Sequence, residues 1–316
     1  MRSIIFCSLL LTTSPAFALT PEDIESASFD GLDVPEGQSG LSVKLQVLLD
    51  RAGISPGVVD GYKGGMSESA LRGFEERQGL LVDGILDAEV WAALGGDDAL
   101  PILMTYTVSA EDVSDLTETI PDNVAEKAKL EKLGYLRVTE RLAERFHMDE
   151  DFLKALNPEA GFDTGETIWV ADPGEALAAE VTRIEIRKSE RRAVAFDAQG
   201  RMVANYPVAI GSTATPSPEG TVEVVTVAMD PNYSYLPDTN FVTDGVTEAL
   251  ILPPGPNGPV GSVWIDLSKP TYGLHGTDTP DTLFQAKSRG CVRFTNWDVE
   301  ELAHLVKPGV SVEFLE

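Results

Sequence analysis

Near residue 180 the hydrophobic pattern of this chain changes period, from the three-to-four spacing of helices to strict alternation. Ile184 and Ile186 alternate with charges, the Asp197-Ala198-Gln199-Gly200 stretch reads as a turn, and Met202, Ala204, Tyr206, Val208 and Ile210 alternate again. Val222 and Val224, then Val263, Ile265 and Leu267, then Val310, Val312 and Phe314 mark further strands. One helix interrupts them, with Asn296 as its expected cap and Val299, Leu302, Ala303 and Val306 as its buried stripe. Residues 180–316 are therefore expected to be mostly β. The long run Leu252-Pro253-Pro254-Gly255-Pro256-Asn257-Gly258-Pro259 is a connection of the kind that carries function.

Before the switch the spacing predicts a small three-helix unit over residues 41–96. Its first helix carries Val43, Gln46, Val47, Leu48 and Leu49 and stops at Gly53. Ser67 is expected to cap a second helix bearing Ala70, Leu71 and Phe74, and Asp87 a third bearing Val90, Trp91 and Leu94. Two Val-Asp-Gly turns, at Val59-Asp60-Gly61 and Val82-Asp83-Gly84, flank the middle helix. Residues 103–173 mix both periods. Tyr106-Thr107-Val108 is extended, Val124–Leu133 helical, Val138–Phe146 and Phe152–Leu156 helical, and Gly165–Val170 extended again. The fold class expected is multidomain, with a helical first unit, an α/β middle segment and a mostly-β C-terminal domain.

Residues 19–40 are acidic and aperiodic, so they read as a flexible leader. Ahead of them, Arg2, the apolar run Ile4–Leu11 and Ala16-Phe17-Ala18 have the layout of a secretion signal cut after Ala18. Cys7 would leave with that signal. No stretch approaches the roughly 18 apolar residues of a membrane-spanning helix. The net charge of −27 and pI of about 4.3 argue against nucleic acid and anionic lipid as partners, both of which call for basic surface.

Once the signal is removed, Cys291 is the only cysteine, unpaired in an oxidising compartment. Thiol acyl transfer needs a nucleophile, a base within reach and donors for an oxyanion. His275 lies sixteen residues before Cys291 at the end of a strand-like Tyr272-Gly273-Leu274 and is the expected base. Arg289 and Arg293 flank the cysteine and are expected to favour its thiolate. Gly290 permits close backbone approach, so the Gly290–Cys291 amides are the expected oxyanion donors. His147 and His304 are expected to be surface or packing residues.

His275-Gly276-Thr277 followed by Ser288-Arg289-Gly290-Cys291-Val292-Arg293 resembles the YkuD, or L,D-transpeptidase, catalytic domain. Thr215-Pro216-Ser217-Pro218-Glu219-Gly220, Pro253-Pro254-Gly255-Pro256-Asn257 and Asn296-Trp297-Asp298 extend the resemblance, in order, over about residues 180–316. Many members of that family carry a second histidine where this chain has Arg289. The resemblance implies a cysteine acyl-enzyme formed on a peptidoglycan stem tetrapeptide, with Cys291 as nucleophile and His275 as base. Arg293 would hold a substrate carboxylate, and Ser288 and Gly276 would line the site, with neither metal nor cofactor required. The acceptor would be a second stem, giving a 3→3 cross-link, or another amine such as one on a wall-attached protein. Water would instead make the chain a carboxypeptidase or hydrolase. A decayed, non-catalytic wall binder is the third reading, and the intact His275/Cys291 pair speaks against it.

Residues 41–96 resemble the three-helix peptidoglycan-binding domain, through Leu45-Gln46, Asp60-Gly61, Ser69-Ala70-Leu71, Phe74, Gly79-Leu80, Asp83-Gly84 and Trp91. The run from Ala143-Glu144-Arg145-Phe146 through Leu153–Pro158 to Gly165–Val170 resembles a LysM-like βααβ module with an insertion of about 25 residues after its first strand. Both resemblances imply affinity for wall glycan or stem peptide, and with the signal they imply a periplasmic location.

Overall fold

The computed structural model describes residues 19–237 and 246–316. The expected secretion signal at 1–18 lies outside the described residues. The segment read as a flexible leader is folded. Thr20 caps a short helix α1 (Pro21–Glu25) through a reciprocal capping box with Asp23, Ile24 is fully buried, and Val34 is buried as well. The sequence hid this because the anchors are non-local: Phe29 packs on Trp91, and the Glu25 carboxylate accepts from the Leu103 amide at 2.7 Å.

The helical unit consists of α2 (Gly40–Arg51), α3 (Gly65–Gln78) and α4 (Ala88–Ala93). Asp87 caps α4 as expected. Ser67 does not cap α3, which starts two residues earlier at Gly65. Its hydroxyl instead accepts a buried bond from Gln46, whose amide also ties down the Asp60-Gly61 turn.

In the middle segment β1 (Leu103–Thr107) pairs antiparallel with β2 (Thr167–Ala171). Between them lie α5 (Val124–Lys127), α6 (Val138–Arg145) and α7 (Glu150–Leu156). The helix expected over Val124–Leu133 is thus a single turn that Asn123 caps. The helical unit and the middle segment share one continuous hydrophobic core, running from Ile24 and Leu49 through Trp91 and Ile102 to Leu153 and Val170.

The C-terminal domain is built on β3 (Arg183–Arg187), β4 (Arg192–Phe196), β5 (Met202–Pro207), β6 (Gly220–Met229), β9 (Val263–Leu267), β10 (Gly273–His275), β11 (Val292–Arg293) and β12 (Ser311–Leu315). These form one sheet in the order β11-β10-β9-β6-β12-β3-β4-β5. β7 (Tyr233–Tyr235) and β8 (Leu250–Leu252) form a separate antiparallel pair. Past β5 the chain continues to Ala209, which exchanges two backbone bonds of 2.9 Å with Arg293. The two ends of the sheet therefore meet, and β11 is held on both sides. Helix α8 (Asn296–Leu305) fills the interior with Val299, Leu302 and Leu305 against Val263, Leu274 and Val312.

The helical unit is bonded to the back of this sheet. The buried Arg192 guanidinium donates to the carbonyls of Ser55 (3.0 Å) and Asn205 (2.7 Å) and to the Asn205 side chain (2.6 Å). Ser55 in turn donates to Asp298 at 3.0 Å. His147, between α6 and α7, bonds Asp50 at 2.7 Å and stacks on Trp297 at 5.3 Å, so one imidazole touches all three parts of the chain.

Candidate active site

Cys291 and His275 are brought together by a parallel pairing. β10 and β11 align Leu274 with Val292 and His275 with Arg293, which sets Cys291 one step back along its strand, beside Gly273. His275 stands directly opposite Trp264 on β9, and the two rings stack at 5.7 Å with 22° between planes. Gly273 is required here, since a Cβ would come within 2.5 Å of the Trp264 ring. The alternation of Val263, Ile265 and Leu267 had put Trp264 on the other face of β9, the signal by which it could have been found.

The imidazole of His275 is 4% exposed. Its Nδ1 is 2.7 Å from the Gly276 carbonyl oxygen, which can only accept, so Nδ1 carries the proton and Nε2 the lone pair. Burial, with the nearby Arg293 charge adding to it, lowers the His275 pKa to about 4. The ring is therefore neutral at pH 7. The half-buried Cys291 thiol donates to the Thr271 carbonyl at 3.7 Å. Thr271 holds φ +73°, a left-handed backbone that a β-branched residue rarely adopts, and nothing in the sequence signalled it.

Flanking cations do not set the Cys291 ionisation in the way its neighbours suggested. Burial raises the thiol pKa, and the Gly273 amide and Arg293 only partly oppose it. Arg289 is exposed and faces Tyr233, together with Arg293 and Cys291. The resting pair is thus thiol and neutral imidazole, because burial outweighs the Arg293 charge at the thiol and is reinforced by it at the ring.

The expected lining residues sort differently from their sequence reading. Ser288 is 2% exposed, so it faces the loop and not the cleft: its hydroxyl donates to the Cys291 carbonyl and accepts from the Gly290 amide at 3.0 Å. The Gly290 amide, spent on Ser288, does not point to an oxyanion. The demand on Gly290 is steric, since φ is +113° and a Cβ would lie 2.6 Å from the Tyr272 ring. Gly276 is buried and lies against Asn296, whose amide oxygen would be 2.1 Å from a Cβ there. Arg293 is half-buried and forms no ion pair among the described residues. His304 is exposed with Nδ1 on the Glu300 carbonyl at 2.7 Å, and neither it nor His147 enters the site. Tyr233, on β7, is a site neighbour that sequence reasoning missed, because a short strand in a Pro-rich region has no readable period.

Asn296 also departs from its expected part. Thr295 caps α8, its hydroxyl accepting from the Asp298 amide at 3.0 Å. One residue on, the Asn296 side chain is free to bridge: its oxygen accepts from the Ser262 amide at 3.2 Å and its nitrogen donates to the Pro256 carbonyl at 3.3 Å.

Residues 181–313 match the family described as "L,D-transpeptidase catalytic domain" (YkuD). The C-terminal part of this chain is a YkuD domain. Residues 39–94 match "Putative peptidoglycan binding domain", so the chain joins the two. A curated relative of the YkuD domain, "Putative L,D-transpeptidase YkuD" of Bacillus licheniformis, is 38% identical over 112 residues, 35% of this chain and 53% of that protein. Its Bacillus subtilis counterpart is 27% identical over 173 residues, 54% of this chain and 89% of that protein. The chain thus spans about half the length of the first of these relatives. An L,D-transpeptidase structure from Xylanimonas cellulosilytica aligns at 14% identity over 91% of this chain and 100% of that one, with a TM-score of 0.40.

Proposed function

We propose that this chain is a secreted, periplasmic L,D-transpeptidase acting on peptidoglycan stem tetrapeptides. Cys291 Sγ attacks the carbonyl carbon at the L-centre of the third stem residue, forming a C–S bond. As it does so, the thiol proton passes to His275 Nε2. The tetrahedral intermediate collapses with cleavage of the C–N bond to the terminal D-alanine, whose amine takes that proton from His275. An acceptor amine then attacks the thioester, gives its proton to His275, and releases Cys291, which recovers the proton as a thiol. The amide of Cys291 is the donor assigned to the oxyanion, and Arg293 holds a stem carboxylate.

The observation that carries this reading is the neutral thiol–imidazole pair on adjacent parallel strands, with the base's tautomer fixed by the Gly276 carbonyl. A neutral pair keeps the proton available for transfer in both half-reactions. Residues 41–96 hold the chain on the wall. The β1–β2 pair with α6 and α7 between serves as a LysM-like module that adds glycan contact.

The test is covalent capture. A carbapenem should add one adduct to the wild-type protein and none to Cys291→Ala, and an unmodified wild type would end the enzyme reading. Muropeptides recovered after incubation with tetrapeptide-rich wall should then include 3→3 dimers. Tripeptides alone would assign the hydrolytic outcome.

A further inference from the structure

Two asparagines that the YkuD motifs contain, Asn257 and Asn296, end on one helix outside the YkuD domain. Helix α6 presents Glu140 and Glu144, four residues apart and so on one face. Glu140 Oε1 accepts from Asn257 Nδ2 at 2.6 Å, while its other oxygen accepts from the Leu136 amide at 2.7 Å. Glu144 accepts from Asn296 Nδ2 at 3.0 and 3.2 Å, and from the Tyr135 hydroxyl at 3.1 Å.

The backbone just before α6 grips the same loop. The Leu133 amide donates to the Pro254 carbonyl at 2.8 Å and its carbonyl accepts from the Asn257 amide at 3.0 Å. Gly134 O accepts from the Asn257 side chain at 3.1 Å. The approach is close enough that a Cβ on Gly255 would sit 2.2 Å from Leu133 O. Val124 and Leu133 share a small core with Tyr235 and Leu252, which joins this insertion to the β7–β8 pair that carries Tyr233.

From Asn296 the contacts lead to the base in two steps. The Asn296 amide oxygen presses on Gly276, and the Gly276 carbonyl orients His275 Nδ1. Burial in a cleft between the middle segment and α8 pushes Glu144 up to about 8, so at neutral pH it is largely a protonated acid. A neutral partner holds Asn296 without placing a negative charge close to the imidazole.

We infer that α6 is a positioning element of the active site, Glu144 acting through Asn296 and Gly276 on His275, and Glu140 acting through Asn257 on the loop ahead of it. The consequence for catalysis rests on the transpeptidase reading; the coupling to the thiol–imidazole pair does not. A misplaced catalytic group costs up to two orders of magnitude in rate, so partial release is expected to cost on the order of tenfold.

Two readouts on the full chain separate the cases: the rate of carbapenem acylation at Cys291, and the pH profile of Cys291 alkylation by iodoacetamide. Glu144→Ala and Glu140→Ala should acylate about tenfold more slowly. Glu144→Ala should also move the alkylation profile towards that of a solitary thiol. Glu144→Gln, which keeps length and an acceptor, should restore both. A purely structural role would lower the melting point and leave the alkylation profile in place, and that result overturns the inference. If Glu144→Ala does not fold, Glu144→Asp withdraws the carboxyl by one methylene and carries the same expectation; a wild-type profile there is equally fatal. A wild type that refuses the carbapenem but whose alkylation profile responds to Glu144 would remove the transpeptidase reading and leave the coupling standing.

Discussion

His275 and Arg293 face each other across the parallel β10–β11 pair, a cation beside the base. Together with burial, this holds the imidazole near pKa 4, where an unperturbed ring titrates at 6.5. Activity should therefore persist at pH 5, with the acid limb of kcat/KM for the free enzyme close to 4. Arg293→Gln should move that limb upward while leaving it below the ordinary imidazole range, because burial, the larger cause, stays. An acid limb near 6.5 in the wild type would contradict a desolvated base.

Gly290→Ala should be far more damaging than its one added methyl implies. The methyl would meet the face of Tyr272 at 2.6 Å and the Pro216 carbonyl at 3.1 Å, in a backbone conformation strained for any side chain. The nucleophile must shift, and a loss on the order of a hundredfold in Cys291 acylation is expected. Mass spectrometry of the adduct against time measures it directly.

Arg192 predicts shared melting. Its guanidinium is fully enclosed and satisfies two carbonyls and an amide oxygen on either side of a junction. Calorimetry of the wild type should show one transition rather than separate ones for the helical unit and the YkuD domain. Arg192→Met removes the donor from the Ser55 carbonyl and the Asn205 amide oxygen at a cost of about 1–3 kcal/mol each, while the Asn205 carbonyl keeps the Ser55 amide at 2.9 Å. It should lower the melting point and split the transition.

Stability should fall as pH rises from about 6.5 to 9. Glu144 and Asp298, raised to about 8 and about 7, both hold protons in the folded chain that they lose when unfolded. Their contribution is complete below the unfolded carboxylate pKa and is lost as pH climbs through the folded values. His147, raised beside Asp50, has the same sign. His275, lowered, acts oppositely but below 6.5, outside this window. Thermal melts across the range check the slope, and Glu144→Gln should flatten it.

β3, β9 and β12 were legible because each has one buried face, and alternation such as Ile184/Ile186 or Val312/Phe314 reports that directly, whereas β4, buried along its whole length, offers no alternation to read. Cys291 and His275 were legible because few residue types perform that chemistry. Ionisation was not, since Arg289 and Arg293 read as thiolate-stabilising neighbours while desolvation, a property of the folded interior, wins. Ser288 and Gly290 looked like substrate contacts, yet they bond each other beneath the nucleophile. The leader misled for a related reason: Ile24 and Phe29 have no local period, and the partners of Glu25 and Phe29 lie more than sixty residues on. The motif asparagines were visible, but not that a different part of the chain would hold them.

The continuous core between the helical unit and the middle segment, with the Arg192 junction behind the sheet, has a geometric consequence. A catalytic group on a flexible tether sweeps a volume, and its encounter rate with a target is set by linker length. Here the thiol has no such freedom relative to residues 41–96. Once that end is seated on a surface, Cys291 works like a tool on a fixed arm, at one height and one angle. The spacing of targets it serves is then dictated by the dimensions of the protein and not by chance diffusion about an anchor.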